Sequence, residues 1–261
     1  MKHLLNIINH LATLGRSVIQ KKHTFELVIS FSGGKDSCAM LAYICEKYPL
    51  IKKHVVFADT GWEHDDVVEW CQSIAGRFNQ ELHIVKHHNT NLLDRIADRG
   101  KFPSSQARFC TSGFKRDPIY KWIRNNVGSK VVQAIGIRAQ ESASRAKQKP
   151  LSRNLRLTNS KRTVYDWYPI FDWTEDEVKQ YLADRNIPLH PVYEYLPRFS
   201  CQVCIYNTPK ELGAIRINNP AAFDKIANLE KQIGFTMNPK GSVTQLADSA
   251  WYNTKSLNLA V

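Results

Sequence analysis

The chain has 261 residues, of which 43% are hydrophobic and 23% charged, and its formal net charge is +12. It can bury one large core and has no apolar run of membrane-spanning length and no secretory signal, so we expect a soluble, cytoplasmic protein. Its six cysteines should then be reduced, metal-bound or catalytic rather than paired in disulfides. The positive charge indicates either a polyanionic partner or substrate or a solvated basic surface.

The first predicted elements are a helix, a strand and a second helix. Leucines and isoleucines between residues 4 and 20 recur on one face, which predicts an amphipathic packing helix. The apolar run from Leu27 to Phe31 is typical of a buried parallel strand. Residues 36 to 48 carry Met40, Leu41 and Ile44 at helical spacing, so residues 32 to 37 form a strand-to-helix turn.

This turn, which we call the cradle, reads Ser-Gly-Gly-Lys-Asp-Ser. Gly33 and Gly34 let the backbone turn tightly and approach a ligand, while the first N–H groups and the dipole of the following helix favour an anion. Two serine hydroxyls and the Lys35 ammonium add further donors. Because the spelling matches neither of the two commonest glycine-rich phosphate loops, we predict a nucleotide-phosphate site of another kind.

Strands and helices then alternate along the chain. Residues 54 to 59 and 82 to 85 predict strands, and residues 65 to 78 and 91 to 100 predict the helices after them. The alternation predicts an α/β fold with a doubly wound, Rossmann-like parallel sheet. Ligands of such sheets bind beyond the carboxyl ends of the strands, where the cradle and Asp59-Thr60-Gly61 both fall. That triplet suits a ribose, a base or a metal ion, although such triplets also begin helices.

The next part of the chain carries most of the positive charge. After a loop over residues 102 to 111, a helix contains Ile119 and Ile123, and residues 130 to 137 predict a fourth buried strand. From Arg138 to Arg162, eight basic residues stand against one acid, Glu141, which makes a net +7. We predict that this basic segment is a mobile loop that orders over an anionic ligand, or alternatively a solvated insertion.

The last predicted strand covers residues 164 to 170, and Thr174 with Glu177 predicts a capping box for the helix that follows. Beyond Pro188 and Pro191, residues 209 to 217 and 220 to 233 predict two helices of a smaller unit. We therefore predict a nucleotide-binding domain of residues 1–194 and a cysteine-containing helical unit of residues 195–261.

Three of the six cysteines lie on apolar faces of predicted helices and should pack in the core: Cys38, Cys45 and Cys71. Cys201 and Cys204 form a C-x-x-C pair, and Cys110 falls at the same edge of the domain. Three thiolates suit an iron–sulfur cluster with one open iron, whereas zinc would usually need a fourth ligand. Redox or sulfur-carrying thiols and three inert thiols are the alternatives that the spacing leaves open.

Basic residues also flank the fourth strand. Residues 136 to 145 include Arg138 and Arg145, and Lys115 and Arg116 lie upstream. Several guanidinium and ammonium groups aimed at one site suit a triphosphate, or a phosphate plus a sulfate, and surface basicity is the alternative reading.

Seven segments occur in the order seen in the phosphoadenosine phosphosulfate reductase family, and residues 25 to 208 resemble that family. The cradle itself resembles the PP-loop of the ATP pyrophosphatase superfamily. The segments are residues 32–37, 59–61, 110–116, 136–145, 169–174, 187–193 and 200–204. The resemblance implies an adenine-nucleotide α-hydrolase-like fold, and either reduction of an activated sulfate or cleavage of ATP between its α and β phosphates.

Two features separate the chain from the sulfate reductases that it resembles. The thioredoxin-dependent enzymes use a nucleophilic cysteine in a C-terminal tail, whereas the last cysteine here is Cys204. Adenylylsulfate reductases with a cluster have two adjacent cysteines where this chain has Phe109-Cys110. The chain is more similar in character to the PP-loop proteins of DNA phosphorothioate modification, which activate a phosphate with ATP and use a sulfur donor.

The resemblance implies an ATP pyrophosphatase that activates a phosphate for sulfur incorporation, with Mg²⁺ as cofactor and with DNA and sulfur-donor or DNA-modification proteins as partners. Sulfate reduction and non-catalytic ATP sensing are the alternatives. The implied catalytic residues are Lys35, Asp36, Ser37 and Arg138. The implied nucleotide-binding residues are Ser30, Ser32, Gly33, Gly34, Lys35, Asp36, Ser37, Asp59, Thr60, Gly61, Lys115, Arg116, Gly136, Arg138 and Arg145. The implied ligands of a [4Fe–4S] cluster are Cys110, Cys201 and Cys204.

Overall fold

The computed structural model describes residues 25–199 and 201–249, so the predicted helix of residues 4 to 20 lies outside the described residues. The strands are β1 (Glu26–Phe31), β2 (Lys53–Asp59), β3 (Leu82–Lys86), β4 (Lys130–Ile135), β5 (Leu151–Arg153) and β6 (Thr163–Trp167). The helices are α1 (Lys35–Lys47), α2 (Val67–Gly76), α3 (Leu92–Arg99), α4 (Phe109–Thr111), α5 (Asp117–Asn126), α6 (Ala143–Ala146), α7 (Glu175–Ala183), α8 (Pro209–Asn218) and α9 (Pro220–Ile233). A π-helical turn (Ser112–Arg116) joins α4 to α5, and 3-10 turns cover Ala139–Glu141 and Pro191–Glu194.

The strands form one sheet in the order β3-β2-β1-β4-β6-β5. All neighbouring strands are parallel except β5, which pairs antiparallel with β6. The chain runs from β1 outward to β2 and β3 on one side, then returns to β4 on the other, so the strand order reverses between β1 and β4. The predicted doubly wound α/β fold is thus confirmed, and the cradle lies at this switch point.

Helices cover both faces of the sheet because the strand residues alternate between them. Leu27 and Ile29 of β1 pack with α1, α2 and α7 on one face, in a core that includes Met40 and Leu182. Val28 points to the other face and packs with α5. Burial of both faces explains why the strands read as continuous apolar runs.

The basic segment is not the loop that we predicted, because it contains strand β5, which pairs with β6 immediately after the segment. Leu157 is buried, and the buried Asn154 side chain donates to Tyr120 Oη at 2.8 Å and to both carboxylate oxygens of Asp166. One leucine and one asparagine therefore anchor a polar segment that has no apolar period. Its fully exposed cations are Lys147, Lys149, Arg153, Arg156 and Lys161.

The C-terminal helices begin and end close to their predicted bounds, and Pro209 and Pro220 occupy the first helical position in each. Leu212, Phe223 and Ile226 share one apolar cluster with Trp62 and Leu92, which follow β2 and β3 in the chain. The predicted boundary after residue 194 stays a prediction. None of the helices in the described part of the chain is long and apolar enough to cross a membrane.

Candidate active site

The cradle is held in shape by its own hydroxyl groups. Ser37 Oγ donates to the Gly34 carbonyl at 2.9 Å and accepts from the backbone N–H and the hydroxyl of Ser32 at 3.3 and 3.1 Å. Gly33 has φ of +77°, which a glycine adopts without the steric penalty of a side chain. Gly34 is the N-cap of α1 and makes no side-chain cap. The Lys35 N–H bonds to Tyr193 Oη, and the Asp36 and Ser37 N–H groups of the first turn are left as donors for an anion.

Helix α2 and strand β4 support the cradle at close range. Trp70 Nε1 donates to the Gly33 carbonyl at 2.9 Å, and a Cβ atom on Gly33 would lie 2.8 Å from Cys71 Sγ. A Cβ atom on Gly136 would lie 3.2 Å from the backbone nitrogen of Ser37. The absence of a side chain at Gly136 therefore lets the end of β4 pack directly on the start of α1.

Charged side chains meet at the start of α1. Arg138 is buried and its Nε donates to Asp36 Oδ1 at 2.5 Å, so the structure brings these two predicted residues together. Lys35 Nζ lies 3.9 Å from Asp36 Oδ2 and 3.7 Å from Glu175 Oε1. A hydrogen bond from Lys179, followed by the charge of Lys35, lowers the pKa of Glu175 below its ordinary value against the opposing effect of burial. Both cations are thus held next to the first-turn N–H groups of α1.

Two aromatic residues of the cradle were missed in the sequence. The backbone N–H of Lys35 donates to Tyr193 Oη at 2.9 Å, and the Lys35 ammonium lies 5.4 Å from the centre of the Tyr193 ring. Burial raises the pKa of Tyr193 to about 12, so this phenol is neutral at physiological pH. A Cβ atom on Gly34 would lie 3.3 Å from Phe199 Cβ, so Phe199 packs closely on that glycine. Tyr193 belongs to one of the seven matching segments, and this was the signal that could have pointed to it.

The triplet Asp59-Thr60-Gly61, at the end of β2, makes hydrogen bonds and an ion pair within the protein. Thr60 is buried, and its N–H and hydroxyl donate to the Glu63 carboxylate at 2.8 to 2.9 Å. Asp59 accepts from the Gly61 N–H at 2.7 Å and pairs with Lys86 at 2.8 Å. The nucleoside-binding role of the triplet stays a prediction. Glu63, three residues after Thr60, was detectable as the second half of a capping-box spacing.

Four other predicted nucleotide-binding residues also have partners in the protein. Ser30 Oγ accepts from Gln133 Nε2 at 2.8 Å, which joins β1 to β4. Lys115 Nζ lies 3.3 Å from Glu63 Oε1. Arg116 pairs with Asp117 at 3.0 Å, and Arg145 pairs with Glu141. Their roles as phosphate clamps stay predictions.

The three thiols predicted to act together line one cavity. Cys110, Cys201 and Cys204 border a space of about 30 Å³ with apolar residues such as Phe102 and Ile226. Cys110 lies in the short helix α4 rather than in the predicted loop. A space of this size admits a water molecule. Among the residues that the structure describes, no group of three or more His, Cys, Asp or Glu side chains is arranged to hold a metal ion, so the cluster stays a prediction.

Lys115 stands beside these thiols. The charge of Cys201 and then of Glu63 raises the pKa of Lys115 above its ordinary value, against the opposing effect of burial. Burial raises the pKa of Cys201 to about 12, although the Lys115 ammonium acts in the other direction. Lys115 is therefore a permanent cation at the thiol cavity, and it is the group that favours a thiolate there.

The other three cysteines pack as predicted. Cys38 and Cys71 are fully buried, and Cys45 is half-buried against the same core. Burial raises the pKa of Cys45 to about 11 and that of Cys71 to about 12, which makes both thiols poor nucleophiles.

A parallel sheet with a serine–glycine cradle at its switch point defines the class of protein: an α/β protein of the PP-loop superfamily. The chain belongs to the phosphoadenosine phosphosulfate reductase domain family, which matches residues 26–201. The resemblance seen in the sequence is thereby confirmed at the level of the family.

Related proteins match most of this chain, but the share of their own length that is matched differs from one to another. An uncharacterized protein of Methanocaldococcus jannaschii is 28% identical over 218 residues, which are 81% of this chain and 44% of that protein. An uncharacterized 37.8 kDa protein of Escherichia phage 186 is 26% identical over 79% of this chain and 75% of its own length. The phosphoadenosine 5'-phosphosulfate reductase of Photobacterium profundum is 23% identical over 64% of this chain and 62% of its own length. The chain thus spans less than half of the archaeal relative.

Two solved structures match this chain at low identity and with TM-scores below 0.5. The phosphoadenylyl-sulfate reductase from Candida auris has a TM-score of 0.46 and 15% identity, over 69% of this chain and 81% of that one. The tRNA thiolase NcsA from Methanococcus maripaludis, solved with its [4Fe-4S] cluster, has a TM-score of 0.49 and 18% identity, over 85% of this chain and 76% of that one.

Proposed function

We propose that this protein cleaves ATP to AMP and pyrophosphate at the cradle, and that the phosphate it activates belongs to DNA and receives sulfur. The observation that carries the proposal is the cradle itself, because Gly33 and the bonded serine hydroxyls shape a turn that presents the Asp36 and Ser37 N–H groups of α1 to an anion. Membership of a family that matches residues 26–201 supports a nucleotide as that anion.

The proposed activation step is an in-line displacement at the α-phosphorus of ATP. An oxygen of the acceptor phosphate forms the new bond, the bond to the β-phosphate oxygen breaks, and pyrophosphate leaves with the electron pair. The N–H groups at the start of α1 and the Lys35 ammonium are placed to stabilise the charge that develops on pyrophosphate. A bound phosphate would compete with Asp36 and Glu175 for that ammonium.

Mg²⁺ would neutralise phosphate charge in this site, with the phosphate oxygens as its principal ligands and Asp36 as the carboxylate nearest to the cradle. Asp36 Oδ1 is already bonded to Arg138, which leaves Oδ2 for a cation. Arg138 itself would hold Asp36 in position rather than move during the reaction.

The proposed second step consumes the activated phosphate. The sulfur of hydrosulfide attacks the acceptor phosphorus, a P–S bond forms, the P–O bond to AMP breaks, and AMP leaves with its oxygen. No electrons are exchanged, so this step requires no oxidant or reductant. The cavity thiols and Lys115 line the place where we propose that sulfur is delivered.

Product analysis with α-labelled ATP, with and without DNA, tests the proposal. We expect labelled AMP and one pyrophosphate per AMP, with faster release when DNA is present. Labelled ADP, or no turnover with DNA, would contradict it. Tight ATP binding without turnover would instead select the ATP-sensing alternative.

Reduction of activated sulfate is the second candidate, and the match to the reductase of Photobacterium profundum favours it. Sulfite release from phosphoadenylylsulfate or adenylylsulfate in the presence of a thiol reductant, with no pyrophosphate from ATP, would select this candidate.

A further inference from the structure

Arginine and aromatic side chains flank the chain segments that carry the cavity thiols. The Arg99 guanidinium lies 4.8 Å from the centre of the Phe109 ring. Arg108 and Arg198 lie 5.4 and 5.8 Å from the centre of one ring, that of Tyr206. We call these five residues the rim. They combine three guanidinium groups with two rings, one of which, Tyr206, is 41% exposed.

The rim arginines make no ion pair with a carboxylate anywhere in the described part of the chain, whereas other ring-stacked arginines do. Arg185 lies 3.5 Å from the centre of the Tyr181 ring and bonds to Glu46 at 2.5 Å. Arg216 lies 5.6 Å from the Phe223 ring centre and bonds to Asp248 at 2.7 Å. The rim arginines therefore keep a positive charge that an ion pair neutralises at Arg185 and at Arg216.

Guanidinium chemistry indicates which kind of ligand would neutralise it. A guanidinium stacked on a ring keeps its N–H donors in its own plane, where they bond carboxylates or phosphates in pairs. Nε and Nη2 of Arg198 are buried and have no hydrogen-bond partner among the described residues. Buried charged donors without acceptors are costly, so a bound anionic oxygen that draws the Arg198 guanidinium outward would relieve that cost.

The rim adjoins the thiols through short stretches of chain. Arg108 precedes Cys110 by two residues, and Tyr206 follows Cys204 by two. Phe109 and Cys110 pack against the same apolar cluster as Cys201. A ligand on the Tyr206 ring would therefore lie next to the mouth of the cavity that Cys110 and Cys204 line.

We propose that the rim docks a single-stranded segment of DNA, with phosphates on Arg108 and Arg198 and a base stacked on Tyr206. The choice of DNA rests on the proposed function, and the docking geometry rests on the rim alone. A single strand fits best because its base faces are open for stacking, whereas a duplex hides them. The strand would pass the thiol cavity, where the proposed sulfur transfer occurs.

Fluorescence anisotropy with a labelled oligo-dT strand tests the docking. Arg108→Gln and Arg198→Gln should each weaken binding by about tenfold and lower the salt slope by about 0.7. Tyr206→Leu should weaken binding between about fivefold and a hundredfold, and Tyr206→Phe should restore it. Arg185→Gln is the matched control, since it removes the same charge from a ring-stacked but ion-paired arginine.

Ser37→Ala, a change in the cradle, separates this inference from the proposed function. It should abolish pyrophosphate release while oligo-dT binding stays within about twofold of wild type, and the rim variants should keep ATP binding. Oligo-dT binding by the Arg108, Arg198 and Tyr206→Leu variants that equals that of Arg185→Gln would overturn the docking site. Tighter binding of an RNA strand or a duplex to the rim, lost in the same variants, would overturn the choice of single-stranded DNA. Rim-dependent DNA binding without any ATP cleavage would support the docking site and contradict only the proposed function.

Discussion

Ser37 and Lys35 have different roles in the cradle, and neither side chain belongs to an apolar core cluster. Ser37 Oγ bonds to Gly34 and Ser32 and so sets the shape of the turn. Lys35 contributes a buried ammonium whose protein partners are the carboxylates of Asp36 and Glu175.

Lys35→Ala and Ser37→Ala should each lower pyrophosphate release by roughly a hundredfold or more. The first removes a preorganised donor to a developing charge, and the second releases the turn that positions the N–H donors of α1. Lys47→Ala, at the exposed end of the same helix, is the control and should keep full activity. Steady-state pyrophosphate release with ATP and DNA is the measurement. Turnover within about threefold of wild type for both cradle variants would remove the cradle from the mechanism.

Gly33 is the position where the cradle depends on the backbone. Gly33→Ala should lower the free energy of unfolding by about 2 to 3 kcal/mol, because it combines a positive φ with a Cβ pressed onto Cys71. Gly76→Ala is the matched change, since a Cβ there meets nothing within 4 Å and lies in a helix. Urea denaturation of both variants measures the difference, and equal midpoints would contradict the strain.

At the scale of elements, one carboxylate joins three parts of the sheet. Glu26 of β1 accepts from the Gly128 N–H before β4 at 2.8 Å, from His54 of β2 at 2.8 Å and from Lys52 at 2.9 Å. Burial raises the pKa of Glu26, but these bonds outweigh it and lower that pKa to about 2. The stabilisation is therefore fully present above the ordinary carboxylate pKa and is lost as the pH falls through about 2.

Glu26→Gln should cost roughly 3 kcal/mol of unfolding free energy at neutral pH. The difference between wild type and variant should shrink by more than half at pH 3, because the wild-type carboxylate then gains a proton on unfolding. Denaturant titrations at both pH values measure it. A difference that does not change with pH would show that Glu26 acts through shape rather than charge.

The basic segment forms the second element-scale prediction. If duplex DNA binds, six phosphate contacts would make binding roughly a thousandfold weaker at physiological than at low salt. Neutralising Lys147, Lys149, Arg153 and Arg156, which are all exposed, should flatten that slope. Anisotropy with a labelled duplex over a salt series measures it, and an unchanged slope would leave the segment as a solvated insertion.

At the scale of the whole molecule, the thiol cavity joins helix α4 to the segment that precedes α8. Cys110 is far in the chain from the Cys201 and Cys204 pair, and these thiols meet beside Lys115. Anaerobic purification of the protein distinguishes thiols that hold iron from thiols that carry sulfur.

If the cavity thiols hold a [4Fe–4S] cluster, anaerobically purified protein should be brown and contain about four irons per chain. Replacing Cys110, Cys201 or Cys204 by Ser should bleach it, while ATP cleavage survives because the cradle uses other residues. Cys45→Ala is the control and should keep the colour. Colourless, iron-free protein that still transfers sulfur would leave the three as carrier thiols, and full activity of the triple Ser variant would exclude both roles.

Much of the fold could be predicted from the sequence because its signals are local. The cradle spelling, the alternating apolar strands and amphipathic helices, and the Thr174–Glu177 capping box all involve residues within a few positions of one another. The strand β5 could not be predicted, because it is only three residues long and depends on pairing with β6 rather than on an apolar period. Likewise nothing near Arg198 or Tyr206 in the chain indicated that they meet.

Local patterns in the sequence were enough to predict the parallel sheet, the family and the turn at the glycine pair, since backbone geometry between a strand and a helix is decided by adjacent residues. What surrounds that turn depends on tertiary packing: the Tyr193 phenol on the Lys35 N–H, and Arg138 on Asp36, both more than 100 positions away. It also decided which charges are neutralised, because a guanidinium's partner depends on which elements the strand order and core packing bring alongside it. For that reason the unpaired rim beside the thiols could be found only in three dimensions.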